Sequence, residues 1–598
     1  MTGADELRRT IIETSLANGG HLASSLGAVE LAMALADVFE PTKDRVVWDV
    51  GHQAYAWKLL TGRADRFSTL RKLDGVAPFP LPSESAADAA VAGHAGSALS
   101  VALGLAAARD CRGTDEQVVA VVGDSAMSNG HSLEALNNCQ SATRKVILVL
   151  NDNAMSISRS VGALSGLLGR LLTNVRYNRM KSATERVGHR LGLTFLRKTY
   201  HKIESRIKGL FLASRFFEQF GLRYIGPVDG HDLAALRAAL VVAKEDKRSV
   251  VVHVVTKKGK GYPPAEKDPT KYHGVSAGQV EGEGSSSLHL SWSDAFGEAL
   301  CVAARADDRV FALTAGMRDG TGLAGFAREV PDRFRDVGIA EGHMVAFAAG
   351  LAAGGRRPVV AVYSTFLQRA VDQVMHDVCV ANLPVVFCVD RAGVVGADGV
   401  THQGLYDFAM LRSLPNLTIC QPKDAEDLKA LLDEALKRNG PTVIRYPRGA
   451  VPCGVDAVKS CGVEGLVAQP SQPLNSSTSQ LRLSIWATGD QLEKANAVAA
   501  AFPGSEVVFA RYLKPFDAEL LKRQREAGRR IVSLENGAVA GGFGEAIGAD
   551  FKFGWPDVFI PHGAVSELER RYRFDVDSIV ATLQTSQTPQ TLQTSQTS

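Results

Sequence analysis

The sequence has no C-x-x-C pair and no dense cysteine framework; its 8 cysteines in 598 residues are scattered between Cys111 and Cys461. That scatter excludes a zinc ribbon, a thioredoxin-type redox motif and a disulfide scaffold, and predicts reduced thiols in a cytoplasmic setting. It has no run of about 18 apolar residues, so no membrane-spanning helix is expected, and the stretch Met1–Arg9 lacks the apolar core of a signal peptide. It has no excess of one charge: 67 Lys and Arg stand against 64 Asp and Glu, a formal net charge of +3. No nucleic acid and no membrane surface is expected as a partner. What is present is 45% hydrophobic and 22% charged residues, the balance of a globular protein with a large core and length for about three to five domains.

Short apolar, β-branched runs alternate with helical segments. Residues 118–122, 145–150 and 249–255 form one set, 310–313, 359–363 and 384–390 a second, and 483–487, 506–510 and 530–534 a third. Continuous apolar strands between helices predict an α/β fold of three consecutive parallel-sheet blocks, covered on both faces. A Gly/Ser-rich stretch at 276–288 and a polar, Pro-containing stretch at 469–480 read as linkers. They divide the chain into blocks 1–288, 289–468 and 469–581. Residues 160–215 are irregular and basic and read as helices and loops over the first block. The Gln-Thr-Ser repeats of 582–598 read as a low-complexity, disordered tail. Cys388, inside Val-Phe-Cys-Val, reads as a buried small hydrophobe.

Two places carry chemistry. The run Val-Val-Ala-Val-Val-Gly123-Asp124-Ser125-Ala126 is a strand entering a tight turn; a helix follows over 131–140, then a strand ending in Asn151-Asp152-Asn153. This is a βαβ unit with two polar tips at the carboxyl ends of strands, where open α/β sheets bind ligands. Asp124 and Asn153 are about one crossover apart, so adjacent strands bring them together. An Asp carboxylate, an Asn carbonyl and a backbone carbonyl would supply half an octahedral Mg²⁺ shell, with diphosphate oxygens and water completing it. On spacing alone the same residues also read as a strand-end turn and an Asx loop. The second place is Ile339-Ala-Glu341-Gly342-His343, a lone acid before a small-residue helix. It reads either as a carboxyl kept partly dry for proton transfer or as a helix-terminal Glu facing the positive dipole end.

Long strings resemble the 1-deoxy-D-xylulose-5-phosphate synthase family, a transketolase-like group of thiamine-diphosphate enzymes. They include Gly20-His21-Leu-Ala-Ser24, Trp48-Asp-Val-Gly-His52-Gln-Ala-Tyr, Ile225-Gly-Pro-Val-Asp-Gly-His-Asp, Thr256-Lys-Lys-Gly-Lys-Gly-Tyr262, Tyr363-Ser-Thr-Phe366-Leu-Gln-Arg369, Asp390-Arg391-Ala-Gly, Asp398-Gly-Val-Thr-His402 and Arg445-Tyr-Pro-Arg448-Gly. The resemblance implies a transketolase-like fold with diphosphate-binding, pyrimidine-binding and carboxyl-terminal blocks, in a homodimer. It implies that pyruvate adds to the thiamine diphosphate ylid, loses CO₂, and that the resulting enamine attacks D-glyceraldehyde 3-phosphate. The product feeds isoprenoid, thiamine and pyridoxal synthesis. It also implies roles. Asp124, Asn153 and the backbone of Met155 hold Mg²⁺. His52, Gly93, His94, Ala95, Ser125, Ala126 and Tyr262 line the cofactor, Phe366 packs on its aminopyrimidine, and Glu341 activates it. His21, His273 and His402 are active-site histidines. Ser24 lies in the substrate pocket. Tyr363, Arg391 and Arg448 take the acceptor phosphate, with Arg369 and Asp398 in the same wall.

Three places depart from the family's strings. Ser125 replaces a Gly, Gly342 replaces a Gln, and Gly93-His94-Ala95-Gly96-Ser97-Ala98 stands for Gly-His-Ser-Ser-Thr-Ser. A Ser where φ > 0 is needed carries a cost. The lost hydroxyls leave the backbone N–H groups of the following helix to bind diphosphate. These departures are the support for a degenerate, non-catalytic relative; the shared block order supports a transketolase-type ketol transferase.

Overall fold

The computed structural model describes residues 3–153, 214–278, 290–452 and 482–586. They fall into two compact units, Met1–Ser286 with Val337–Ala340, and Ser287–Asp336 with Glu341–Ser598.

The first unit is built on strands β1 (Arg45–Trp48), β2 (Val118–Gly123), β3 (Ile147–Asp152), β4 (Arg223–Asp229) and β5 (Val250–Val255). Their spatial order is β1-β2-β3-β5-β4 and every pairing is parallel. Side chains alternate between faces. Val119, Val121, Ile147 and Val149 pack into one buried cluster, while Val118, Ala120, Val122, Leu148 and Leu150 pack into another. Both faces are therefore covered, which explains why these strands read as unbroken apolar runs. The crossover helix Gly130–Ala142 starts at Asn129, whose side chain accepts from His131 N. It aligns Gly123 opposite Asn151.

The second unit holds two sheets. One uses β6 (Val310–Thr314), β7 (Phe334–Asp336), β8 (Arg357–Tyr363), β9 (Val386–Asp390), β10 (Thr418–Cys420), β11 (Thr442–Arg445) and β14 (Tyr512–Lys514), in the order β14-β10-β11-β9-β8-β6-β7. The other uses β12 (Leu483–Ala487), β13 (Glu506–Phe509), β15 (Arg530–Ala538) and β16 (Phe551–Trp555), in the order β13-β12-β15-β16. All pairings are parallel except β10 with β14. β14 is a correction to the sequence reading: a three-residue strand from the last block completes the edge of the middle sheet. Arg511 anchors it, donating to Asp427 at 2.6 Å and to Glu434 at 2.9 and 3.0 Å. Cys388 is buried in β9. The last helix, Val576–Thr585, runs on past residue 581, because Ile579 and Leu583 are buried and Asp575 caps its start. Most of the basic 160–215 segment, the stretch 279–289 and the repeats from 587 lie outside the described residues.

Candidate active site

In the first unit, functional side chains gather at the carboxyl ends of β1, β2, β3 and β5. Asp124 opens a four-residue helix directly after β2 and is 3% exposed. Ser125 follows within that helix and has no left-handed backbone, so a serine in place of glycine carries no backbone strain there. Ala126 O accepts from Ser132 Oγ at 2.8 Å. Asn153 follows β3 immediately. The strand tips are tied side by side: Asn151 Nδ2 donates to Gln53 Oε1 at 2.7 Å, and Thr256 Oγ1 donates to Asn151 Oδ1 at 2.6 Å. Met155 lies outside the described residues.

Three histidines face one another here. The ring centres of His21, His52 and His273 are 5.4 to 6.1 Å apart. Phe79 lies 5.3 Å from His21, and Ser24 Oγ lies 3.3 Å from His273 Nδ1. His21 is delivered by Gly20, whose φ is +149° and whose bare Cα leaves room for the Tyr55 hydroxyl. That hydroxyl accepts from His21 N at 3.2 Å. Burial pushes His52 and His273 well below the ordinary histidine range, reinforced in both by His21 and Lys258 and, for His273, by His52. Both rings are neutral at neutral pH. Lys258 is 7% exposed, and burial lowers it to about 8 against the pull of Asp124. Its turn is held on both sides. Lys257 N donates to His231 Nε2 at 2.9 Å, Arg8 Nε donates to Lys260 O at 3.0 Å, and Glu30 joins Arg8 and His231 at 2.6 to 3.1 Å. Tyr262, buried, ends the same turn and meets Tyr272 edge-on.

The loop Gly93-His94-Ala95 leads into the helix Ala98–Arg112, whose first amide is taken by a side chain of the same unit. Asp49 accepts from Gly96 N at 2.9 and 3.0 Å and from Ala98 N at 3.2 Å. A carboxylate from the chain itself thus lies against the positive end of this helix, on the Ala98 amide. Gly96 has φ +93°, and a Cβ there would lie 2.5 Å from Asn129 Oδ1, so glycine at 96 and asparagine at 129 fit as a pair.

In the second unit, Glu341 is the first residue of helix Glu341–Ala353 and is 2% exposed. Arg369 Nη1 donates to Glu341 Oε2 at 3.0 Å. The structure thus brings Arg369 into contact with the acid. Phe366 stacks on Tyr363 at 5.9 Å and meets His402 edge-on at 5.6 Å. Arg391 lies 3.8 Å over the Tyr363 ring. Its backbone is left-handed at φ +59°, held by Ala392 N to Tyr446 O and by the paired bonds of Gly393 with Gly404. Such a conformation costs on the order of 1–3 kcal/mol and persists where the surroundings impose it. Arg448 donates to Asp398 at 3.1 Å. Beneath them Asp390 is buried, and burial raises it to about 6 although Arg391 and the Ser293 hydroxyl oppose the rise.

Sequence reasoning missed Lys258, Asp49, Gln53, Phe79 and Asp390 as parts of these chambers. Lys258 stood in a recognised string, but three lysines share that glycine-rich turn and spacing does not tell which one points inward. Asp49 was legible only as a neighbour of His52.

The residues present fit a diphosphate-bearing cofactor with a hard cation. Asp124 and Asn153 offer oxygen donors, and Lys258 offers a desolvated cation. His52 Nδ1 and Gln53 Nε2 are buried and find no hydrogen-bond partner among the described residues, which marks the chamber as built for a polar occupant.

The family model described as 1-deoxy-D-xylulose-5-phosphate synthase matches residues 2–256, and that of the transketolase pyrimidine binding domain matches 289–453. The chain is 46% identical to "1-deoxy-D-xylulose-5-phosphate synthase 1" of Geobacter metallireducens, over 97% of this chain and 95% of that protein. It is 45% identical to "1-deoxy-D-xylulose-5-phosphate synthase 2" of Geobacter sulfurreducens, with the same coverage of both chains. Among solved structures, transketolase from Leishmania mexicana is 18% identical, covers 97% of each chain and gives a TM-score of 0.43.

Proposed function

The chain belongs to the 1-deoxy-D-xylulose-5-phosphate synthase family, and from that premise we infer its reaction: condensation of pyruvate with D-glyceraldehyde 3-phosphate, with loss of CO₂, to 1-deoxy-D-xylulose 5-phosphate. The observation that carries the reading is near-full-length identity of 46% to a protein of that name. It is a transferase that depends on thiamine diphosphate, which when bound supplies the carbon nucleophile and electron sink that no side chain offers.

The chain's own residues supply binding, orientation and proton handling. Asp124, Asn153 and the backbone of Met155 are the proposed Mg²⁺ ligands. Lys258 is the proposed counter-charge to the diphosphate; Gly93, His94, Ala95, Ser125, Ala126 and Tyr262 are the proposed walls. Neutral His52 and His273, with His21 and Ser24, can pass a proton or donate to a developing oxyanion without bringing a fixed charge. Glu341 is the acid for the pyrimidine. Phe366 with Tyr363 forms an apolar, aromatic surface beside His402. Arg391 and Arg448, with Asp398 orienting the latter, are the proposed phosphate grip. Boundaries near 288 and 468 are proposed for the three functional blocks, the first supported by the extents of the two family matches.

A homodimer is proposed on the helix Glu341–Ala353. It is apolar on nearly all sides, yet His343, Ala346, Phe347 and Gly350 are exposed at helical spacing, close in sequence to the acid. A cytoplasmic location is supported by the free thiols of Cys111, Cys139, Cys301, Cys379, Cys388 and Cys420.

The test is incubation of the protein with pyruvate, D-glyceraldehyde 3-phosphate, thiamine diphosphate and Mg²⁺. CO₂ and a deoxyketose phosphate appear together, and Glu341→Ala removes both. Two-carbon transfer between sugar phosphates without CO₂ would overturn the reading, and so would absence of turnover at saturating cofactor.

A further inference from the structure

The resemblance sends Arg391 and Arg448 to the substrate phosphate and places Arg369 in the same wall, and the three have different partners. Arg391 lies on the Tyr363 ring and Arg448 on Asp398. Arg369 is bonded to Glu341 Oε2 at 3.0 Å. We propose that Arg369 is a positioning residue for Glu341, fixing the carboxylate that engages the cofactor's pyrimidine. The proposal rests on the role given to Glu341 above.

Three observations carry it. Glu341 is 2% exposed, and a buried carboxylate needs a partner to be held in place. The Arg369 bond is on Oε2, while among the described residues Oε1 carries none. One oxygen is thus anchored and the other is left for a ring nitrogen. A glutamate has three side-chain torsions, and anchoring one oxygen removes most of the orientational freedom that would otherwise be lost on cofactor contact. Finally, the segment that carries Arg369 is seated on the start of the acid's helix. A Cβ at Gly342 would lie 3.1 Å from Gln373 Oε1, so the Gln373 amide fills the place of a side chain at 342. The 3₁₀ turn Gln368–Ala370 and the helical turn Val371–Gln373 follow each other without a break. Arg369 and Gln373 therefore close over Glu341 and Gly342 as one piece. The absent side chain at 342 gives that piece its close approach, and its guanidinium is aimed at the acid.

The test compares Arg369→Gln, Arg369→Lys and Arg448→Gln in the full-length enzyme. Three quantities are read: exchange of the bound cofactor's C2 hydrogen for deuterium by acid quench and NMR, calorimetric affinity of the cofactor-free protein for thiamine diphosphate with Mg²⁺, and kcat and KM for each substrate. Arg369→Gln should slow C2 exchange and kcat about 10-fold or more and weaken cofactor affinity, while KM for glyceraldehyde 3-phosphate stays within about 2-fold. Arg369→Lys, which keeps a cation beside the buried acid and so guards against misfolding, should restore part of the exchange rate. Arg448→Gln should raise KM for glyceraldehyde 3-phosphate and leave C2 exchange unchanged. A 10-fold rise in that KM in Arg369→Gln with unaltered C2 exchange would overturn the proposal, as would unaltered values throughout. In the cofactor-free protein, Arg369→Gln and Glu341→Gln should each lower the unfolding midpoint by more than the double variant's effect divided between them; additive effects would count against the pairing. Normal C2 exchange in Glu341→Gln would instead sink the role of Glu341 itself, whatever Arg369 does.

Discussion

Replacing Asp49 with alanine should release the loop that carries His94. The carboxylate accepts from Gly96 N and Ala98 N at 2.9 to 3.2 Å, and Asp49, Gly96 and Ala98 are all buried. Removing it strands two backbone donors, each costing about 1–3 kcal/mol when left unsatisfied. The local opening free energy of the segment should therefore fall by about 2–6 kcal/mol. At tenfold per 1.4 kcal/mol, amide exchange at Gly96 and Ala98 should accelerate by about 30-fold to more than 1000-fold. Asp49→Asn keeps one acceptor oxygen and should fall between wild type and alanine. The assay is hydrogen–deuterium exchange of peptides spanning 93–99, with peptides from β12 (Leu483–Ala487), in the other unit, as an internal control. Unchanged exchange across 93–99 in Asp49→Ala would refute the claim that this carboxylate holds the helix start. If thiamine diphosphate with Mg²⁺ were to restore protection at Gly96 and Ala98 in that variant, the freed amides would be shown to take an external anion once the internal one is gone.

Other expectations follow from the same reasoning. His52 and His273 are held neutral by burial, so below pH of about 6.5 the unfolded chain takes up protons that the folded chain refuses. Stability should drop by about 1.4 kcal/mol per pH unit for each histidine, and the paired variant His52→Asn with His273→Asn should flatten the acid limb of unfolding midpoint against pH. Arg445 and Asp407 form a buried two-bond ion pair at 2.9 and 3.0 Å; Asp407→Ala should cost about 3–5 kcal/mol in urea unfolding, because it leaves a buried guanidinium charge unpaired. Gly96→Ala should destabilise the first unit through its φ of +93° and its collision with Asn129, and Asn129→Ala should recover part of that loss by relieving the collision and leaving the backbone strain; no recovery in thermal unfolding would contradict the pairing of these two residues.

Much of the architecture was legible because it follows from periodicity. Val118–Gly123 and Ile147–Asp152 read as strands from unbroken apolar runs and are buried on both faces. Polar tips after such strands pointed to Asp124 and Asn153. β14 was hidden because three residues, Tyr512–Lys514, carry no period; its placement depends on Arg511 finding Asp427 and Glu434 far back in the chain. Asp49, Lys258 and the Arg369–Glu341 bond were hidden for a related reason. A charged residue's direction is set by which partner folding brings near, and the strings that flag such residues are silent on partners. The departures that looked costly are also resolved in space. Ser125 sits in ordinary helical backbone, Gly96 makes room for Asn129, and Gly342 makes room for Gln373.

The borrowed edge strand bears on how this polypeptide could be divided. Cutting between the second and third blocks would strip β10 of its antiparallel neighbour and bare the main-chain groups of Ile419 and Cys420. An uncapped β-edge invites pairing with other molecules. A fragment ending near residue 452 would be expected to self-associate on purification, whereas two separately expressed halves mixed together could re-knit at that seam.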